Sequence, residues 1–342
     1  MCWLSAMWKR WKRPEGGAQR SASDPTTETP RKAAMSTSRL VHIVDSVPEL
    51  EEHSGPLTMV VALDGFVDAG KAAEYAVRHL VRVGGDAPVV ATFDVDELHD
   101  YRARRPAVSF VRDHYERYDA PRLVVRLLTD TGGTPYLLLL GPEPDNRWEA
   151  FARAVREVVE HFGVTRVIGL ASVPMAVPHT RPLTLTEHAN DPSVLAGESP
   201  WTGELRVPSS AQVLLEIRLG EWGHEAMGFV AHVPHYLAQL DYPTAAAVLL
   251  ERVEIAGRLT IDLADLREEA RQREEEIERY LEENPEVADV VRALEQQYDT
   301  FHRAESSGSS LLAADQPLPT GEELGREFER FLAGLEKPDD GD

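Results

Sequence analysis

Between residues 39 and 256, short apolar runs alternate with stretches whose apolar positions recur at helical spacing. The runs LVHIV (40–44), LTMVVAL (57–63), PVVATFD (88–94), RLVVRLL (122–128), PYLLLLG (135–141), TRVIGLAS (165–172) and HEAMGFVAHV (224–233) have strand length. Several are almost unbroken by polar residues, as strands are when neither face of the pleat meets water. The stretches 68–83, 146–162, 209–222 and 243–256 are helical; in the second, Val155, Val158, Val159 and Phe162 fall on one side. Strands joined by crossover helices predict an α/β core domain over 39–256, a sheet with helices on both faces.

After residue 257 the strand signal ends. Residues 262–305 hold 15 acids and 6 arginines, and Leu263, Leu266, Ala270, Ile277 and Tyr280 form one apolar seam. Asn284 and Pro285 supply a cap and a first helical position for a second helix striped by Val287, Val290, Val291, Leu294, Tyr298 and Phe301. The pattern predicts an acidic helical hairpin over 257–305 whose charged face meets water. Tyr280, Leu281, Tyr298 and Phe301 are too bulky for a two-helix contact to cover, so the hairpin is expected to pack on its own body or on a neighbouring subunit. From residue 306 a flexible acidic tail is expected, with a short helix at 321–335.

The first 38 residues differ from the rest: seven basic residues against three acids, a Ser/Thr/Pro-rich middle and no hydrophobic period. A disordered basic tail is the expectation, with Met35 as the true start. A short anchor built on Trp3, Trp8 and Trp11 is the functional alternative.

Charge narrows the function classes. The chain of 342 residues carries a net −22 at pH 7, which argues against nucleic-acid or anionic-membrane partners. A single cysteine, Cys2, excludes disulfides, thiolate metal sites and a Cys nucleophile. No apolar run reaches the ~18–20 residues that span a bilayer, and the N-terminus has no secretory apolar stretch. A cytoplasmic protein is expected.

In an α/β sheet, chemistry gathers at the carboxyl ends of strands. Four segments there carry candidate residues. In LDGFVDAGKAAEYA, Asp64 and Gly65 form a turn and Asp68 is placed to cap a helix beginning near Ala69; the backbone amides could hold an anion, though no phosphate-loop fingerprint is present. FDVDELHDYRARRP sets Arg102, Arg104 and Arg105 beside Asp94, Asp96, Glu97 and Asp100, either an anion site or, as we expect, an ion network closed within the segment. VPMAVPHTRP holds His179 and Arg181 on a proline-stiffened loop. In AHVPHYL, His232 and His235 are spaced like metal ligands, but the H-E-x-x-H pattern is absent and Pro234 breaks the helix, so no metal is assigned. Ser209 and Ser210 fit a helix cap better than a nucleophile, and no catalytic signature or cofactor motif stands out.

Together, LDGFVDAGKAAEYA, DYRARRP, VPHTRP and VPSSAQVLLEIRLG…AHVPHYLAQLDYPTAAAVLLE resemble the actinobacterial branch of the proteasome assembly chaperone family, over roughly residues 39–300. The resemblance implies a three-layer α/β/α body similar to the phosphorylase/hydrolase-like fold, homo-oligomers, and a non-catalytic binding or assembly factor with proteasome-related protein partners and no cofactor. Docking members of that family end in a hydrophobic–Tyr–any-residue tail, whereas this sequence ends Pro338-Asp339-Asp340-Gly341-Asp342. Docking of that kind is therefore not expected to follow from the inherited fold alone. The alternative is an enzyme for a small anionic or nucleoside-like substrate, bound in a pocket of Asp64, Gly65, Asp68, Arg102, Arg105, His179, Arg181, His232 and His235.

Overall fold

The computed structural model describes residues 40–195 and 204–306. The expected basic tail with Met35, and the acidic tail beyond residue 306, lie outside the described residues.

The chain runs β1 (Val41–Ile43), α1 (Pro48–Glu51), β2 (Leu57–Asp64), α2 (Ala72–Gly84), β3 (Val89–Phe93), β4 (Val108–Val111), β5 (His114–Tyr118), β6 (Val124–Thr129) and β7 (Pro135–Pro142). It continues through α3 (Trp148–Phe162), β8 (Val164–Met175), β9 (Leu185–Ala189), α4 (Ala211–Glu221), β10 (Ala226–Pro234), α5 (Pro243–Gly257), α6 (Ala264–Glu283) and α7 (Pro285–Ser306). Eight strands form one mixed sheet in the order β1-β3-β6-β7-β2-β8-β10-β9. The central strands β7, β2, β8 and β10 are mutually parallel, while β6 and β9 run antiparallel to their neighbours at either side.

The sheet separates two apolar cores. In β2, Val60 and Ala62 face a core shared with α2, α5 and α6, whereas Met59 and Val61 face one shared with α3 and α4. That division explains the unbroken apolar run of the central strands, since alternate residues serve opposite layers. The fold is thus α/β, with helices on both faces.

The acidic hairpin packs on its own body: Leu266 and Ile277 of α6 are buried in the core that α5 lines, and Val291 and Leu294 of α7 are also buried. Tyr280 departs from the expected seam and is 55 % exposed. The helix foreseen near Ala69 starts instead at Ala72, after a single 3-10 turn at Ala69–Lys71 in which Gly70 and Lys71 take positive φ. Three features are additions to the sequence reading: the short helix α1, the edge strand β9, and the two-stranded ribbon β4–β5, which pairs only with itself. Among the described residues no helix is long and apolar enough to cross a membrane.

Candidate functional site

The strands β2, β3, β7, β8 and β10 all point one way, so the segments following them share the carboxyl end of the sheet. Around that end the candidate residues divide into three neighbourhoods.

The first is organised by Arg104. Its guanidinium donates to the Glu143 carbonyl and, at 3.4 Å, to the Asp64 carbonyl, and it pairs with Asp145 at 2.8 Å. It also leans against Gly65, where a Cβ would lie 2.9 Å from its Nη1. The Asp64 carboxyl at the strand end is held above the ordinary carboxylate pKa by partial burial first, then by Glu74 and Asp68, against the opposing pull of Arg104. The ion network expected inside 93–106 does not form. Asp94 and Asp100 spend oxygens on the turn amides of Asp96 and Arg102, and Glu97 pairs with Arg147. Arg102 and Arg105 are exposed, with no carboxylate within 4.0 Å among the described residues. The reason is geometric: a short turn saturates aspartates with backbone N–H groups before a long arginine can fold back to them.

The second neighbourhood centres on Asp68. Its Oδ1 accepts from the Ala73 amide at 2.9 Å and its Oδ2 from the Glu74 amide at 3.0 Å, so it caps α2 from beyond the intervening 3-10 turn. The fully buried Ser172 of β8 donates to the same Oδ1 at 2.7 Å. Three donors meet two oxygens, and the aspartate fastens α2 to the central strand.

The third neighbourhood holds the 173–182 loop. The Tyr236 hydroxyl accepts from the His179 amide at 2.9 Å and lies 2.7 Å from its Nδ1, so the phenol donates there and the ring proton is assigned to Nε2. That edge faces the Glu278 carboxylate of α6 at 3.5 Å. The imidazole is only 3 % exposed. Burial lowers its pKa, with Glu278 pulling the other way, while burial pushes the Tyr236 hydroxyl up to about 12. Arg181 grips Asp299 of α7 with two bonds of 2.8 Å, and Thr180 donates to Glu295. This proline-stiffened loop is the clasp that seats the helical hairpin.

His232 lies apart from all three. Both its ring nitrogens meet threonine hydroxyls, Thr184 at 3.0 Å and Thr186 at 2.9 Å, and burial lowers its pKa. A ring engaged on both nitrogens has no lone pair to offer a metal. His235 stacks edge-on against Tyr236, with centroids 5.5 Å apart. Among the described residues no group of three His, Cys, Asp or Glu side chains is arranged to hold a metal ion. No hydrogen bond among them joins Asp64 or Arg102 to His179. Sequence reasoning missed Tyr236, Ser172 and Arg104 as organisers; for Tyr236 the available signal was its adjacency to His235.

A mixed sheet between two helical layers, with strand-end polar groups consumed by caps and clasps, defines a three-layer α/β/α protein carrying a C-terminal hairpin. The chain belongs to the PAC2 family, whose profile matches residues 62–281. Among solved structures it is similar to a Mycobacterium tuberculosis protein of unknown function at 47% identity, over 78% of this chain and 92% of that one, with a TM-score of 0.73. A Corynebacterium glutamicum protein of unknown function shares 38% identity over 77% of this chain and 98% of its own, TM-score 0.72. A Mycobacterium tuberculosis proteasome-assembly chaperone homologue shares 28% identity over 69% and 100%, TM-score 0.63. No curated protein matches the chain.

Proposed function

We propose that this PAC2 protein is a non-catalytic binding and assembly factor, acting in the cytoplasm as a homo-oligomer on proteasome-related proteins. One observation carries the reading. Four of the polar groups that an enzyme would aim at a substrate are engaged inside the chain, Asp68 by two amides and Ser172, His179 by Tyr236, Arg181 by Asp299 and His232 by two threonines, which leaves the exposed Arg102 and Arg105 without a converging partner group. Catalysis needs convergent groups free to meet a reacting atom, whereas an assembly factor needs a stable body that presents surface. The kinship with a proteasome-assembly chaperone homologue supplies the class of partner.

The test mixes the purified full chain with proteasome α and β subunits from its own host at micromolar concentration. Co-elution with those subunits, or faster ring formation followed on native gels, is the expected result. No association with either subunit, together with turnover of a small anionic or nucleoside-like compound that is lost on replacing Arg102 and Arg105, would move the assignment to the enzyme alternative.

A further inference from the structure

An open apolar surface lies at the carboxyl end of the sheet, around the contacts of Arg104. That side chain binds the Asp64 and Glu143 carbonyls, and the Glu143 carboxylate accepts from the Ala211 amide, at the start of α4, at 2.6 Å. Three segments are thereby drawn together: the loop after β2, the loop after β3 and the approach to α4. Each sets exposed side chains within a few residues of these contacts. Phe66 and Val67, which follow Gly65, are each 45 % exposed, Val207 is 65 % and Val213 41 % exposed. Together they leave on the order of 300 Å² of apolar surface open, a size at which a patch on a monomer is often functional. Arg102 and Arg105 lie two residues before and one after Arg104. Both are exposed, with no carboxylate within 4.0 Å among the described residues. The surface is apolar with a basic rim.

The chain itself holds a segment of complementary chemistry, in the sequence beyond α7 and outside the described residues. Leu324, Phe328, Phe331, Leu332 and Leu335 recur at helical spacing and fall on one face of a 3.6-residue period. On the same period Glu327 borders that face on one side, and Glu329 and Glu336 border it on the other. Arg326, Arg330 and Lys337 fall opposite. Acids therefore flank the apolar stripe while the bases keep away from it. Residues 307–342 as a whole carry nine acids and three bases, a net −6. A helix of about fifteen residues is marginal in water by propensity alone and is held by packing its apolar face.

We infer that residues 321–335 dock as a helix on this surface of their own chain, with the bordering glutamates against Arg102 and Arg105. The place where α7 ends makes the reach short. Arg181, in the loop after β8, holds Asp299, and the Tyr298 hydroxyl donates to the Pro182 carbonyl at 3.2 Å. The last turns of α7 therefore stand at the carboxyl end of the sheet, and Ser306 follows about 10 Å further along the helix. Residues 307–320 then span up to about 45–50 Å when extended, enough to cross that end of the domain. Charge selects the destination. Residues 264–306 hold fourteen acids and six arginines, a net −8, and repel an acidic segment. The surface rimmed by Arg102 and Arg105 attracts it, and the apolar stripe meeting Phe66, Val67, Val207 and Val213 turns attraction into a seated contact.

Hydrogen–deuterium exchange read by mass spectrometry on the full chain tests the docking, with thermal melting as the control for folding. In the wild type the amides of 321–335 should exchange at least ~10-fold more slowly than an unstructured chain. Phe66→Ser with Val207→Ser leaves the segment itself intact and changes only exposed positions. It should nonetheless return 321–335 to the unstructured rate, a rise of ~10-fold or more, with an unchanged melt. Phe328→Ser with Phe331→Ser should do the same and open the surface to a hydrophobic dye. Arg102→Glu with Arg105→Glu should also release the segment, and adding Glu327→Arg with Glu336→Arg should restore its protection. Free exchange of 321–335 in the wild type overturns the proposal, as do protection that the Phe66 and Val207 changes leave untouched and a charge reversal that fails to rescue. Co-expressing the Phe66 and Val207 variant with the Phe328 and Phe331 variant checks the own-chain assignment. Protection regained in that mixture would seat the segment on a second copy and overturn it; continued free exchange is the expected result.

Discussion

Asp68→Ala separates a structural aspartate from a ligand-binding one. In the protein this carboxylate accepts the amides of Ala73 at 2.9 Å and Glu74 at 3.0 Å, and the Ser172 hydroxyl at 2.7 Å. Removing a helix cap costs ~0.5–2 kcal/mol, and bonds to a charged acceptor sit toward the upper part of such ranges. Ser172 suffers less, because its hydroxyl can turn wholly to the Ala69 carbonyl, already 2.8 Å away. The sum is about 2–3 kcal/mol, and at ~2–4 °C per kcal/mol for a domain of this size the melting temperature should fall by about 5–10 °C. Asp68→Asn keeps one acceptor and should lose about half as much. In a double-mutant cycle with Ser172→Ala, the coupling should be about 1 kcal/mol and smaller than the single effect of Asp68→Ala, because the two amides remain in the single term. The assays are thermal and urea denaturation of the full chain. A loss below ~0.5 kcal/mol for Asp68→Ala would refute the capping argument, and a small-molecule binding signal lost in the same variant would return Asp68 to the pocket.

Other outcomes follow from the same contacts. Ile277→Ala, in the core shared by α6 and α5, should cost about 2–4 kcal/mol in urea unfolding while leaving the mass of the assembly unchanged. Arg181→Met should speed amide exchange in α7 ahead of the sheet, since it removes both bonds to Asp299; equal exchange in the two proteins would deny the loop its role as a clasp. Burial lowers the pKa values of His179 and His232 below the ordinary 6.5. The unfolded chain therefore binds more protons between each folded value and 6.5; stability is full above that pH, declines as pH falls through the window, and each histidine gives a slope of at most ~1.4 kcal/mol per pH unit. His232→Gln should flatten that decline in pH-dependent melting, and an unaltered slope would rule His232 out as a source. Gly141→Ala should lose on the order of 2–4 kcal/mol in the same melts, because the new Cβ would stand 2.1 Å from the Arg122 carbonyl at φ +135°.

The central sheet was legible because its signal is local. LTMVVAL and PYLLLLG announce doubly buried strands by composition alone, and β2 and β7 are found there within a residue at each end. The edge strand β9 carries no such mark: all five of its residues are half-buried, and it is a strand only because β10 offers it a ladder. The β4–β5 ribbon shows a faint alternation in VSFV, but its tyrosines fall on one face only after a bulge, and a period-2 reading of HYERY sets them on opposite sides. The start of α2 slipped by three residues for a similar reason. Asp68 is a cap residue by type, yet it reaches past a turn that Gly70 and Lys71 make with positive φ.

For the site, residue types were readable and partners were not. Arg102, Arg104 and Arg105 sit beside four acids in sequence, and proximity along the chain suggested pairing; Asp94 and Asp100 are instead taken up by backbone amides of their own tight turns. Arg104 finds Asp145 across another loop, and Arg181 finds Asp299, 118 positions away. A long arginine in a folded chain pairs with the carboxylate that the topology brings near, which only the strand order reveals. The same logic separates what is committed from what is free. The clasp at His179 and Arg181 binds the hairpin along α6 and α7 and leaves the tip beyond it, where Glu282, Glu283 and Glu286 lack partners among the described residues. Among the described residues, Arg102, Arg105, Arg112 and Arg117, in and beside the β4–β5 ribbon, have no carboxylate within 4.0 Å, and neither do Arg126 of β6 and Arg258 after α5.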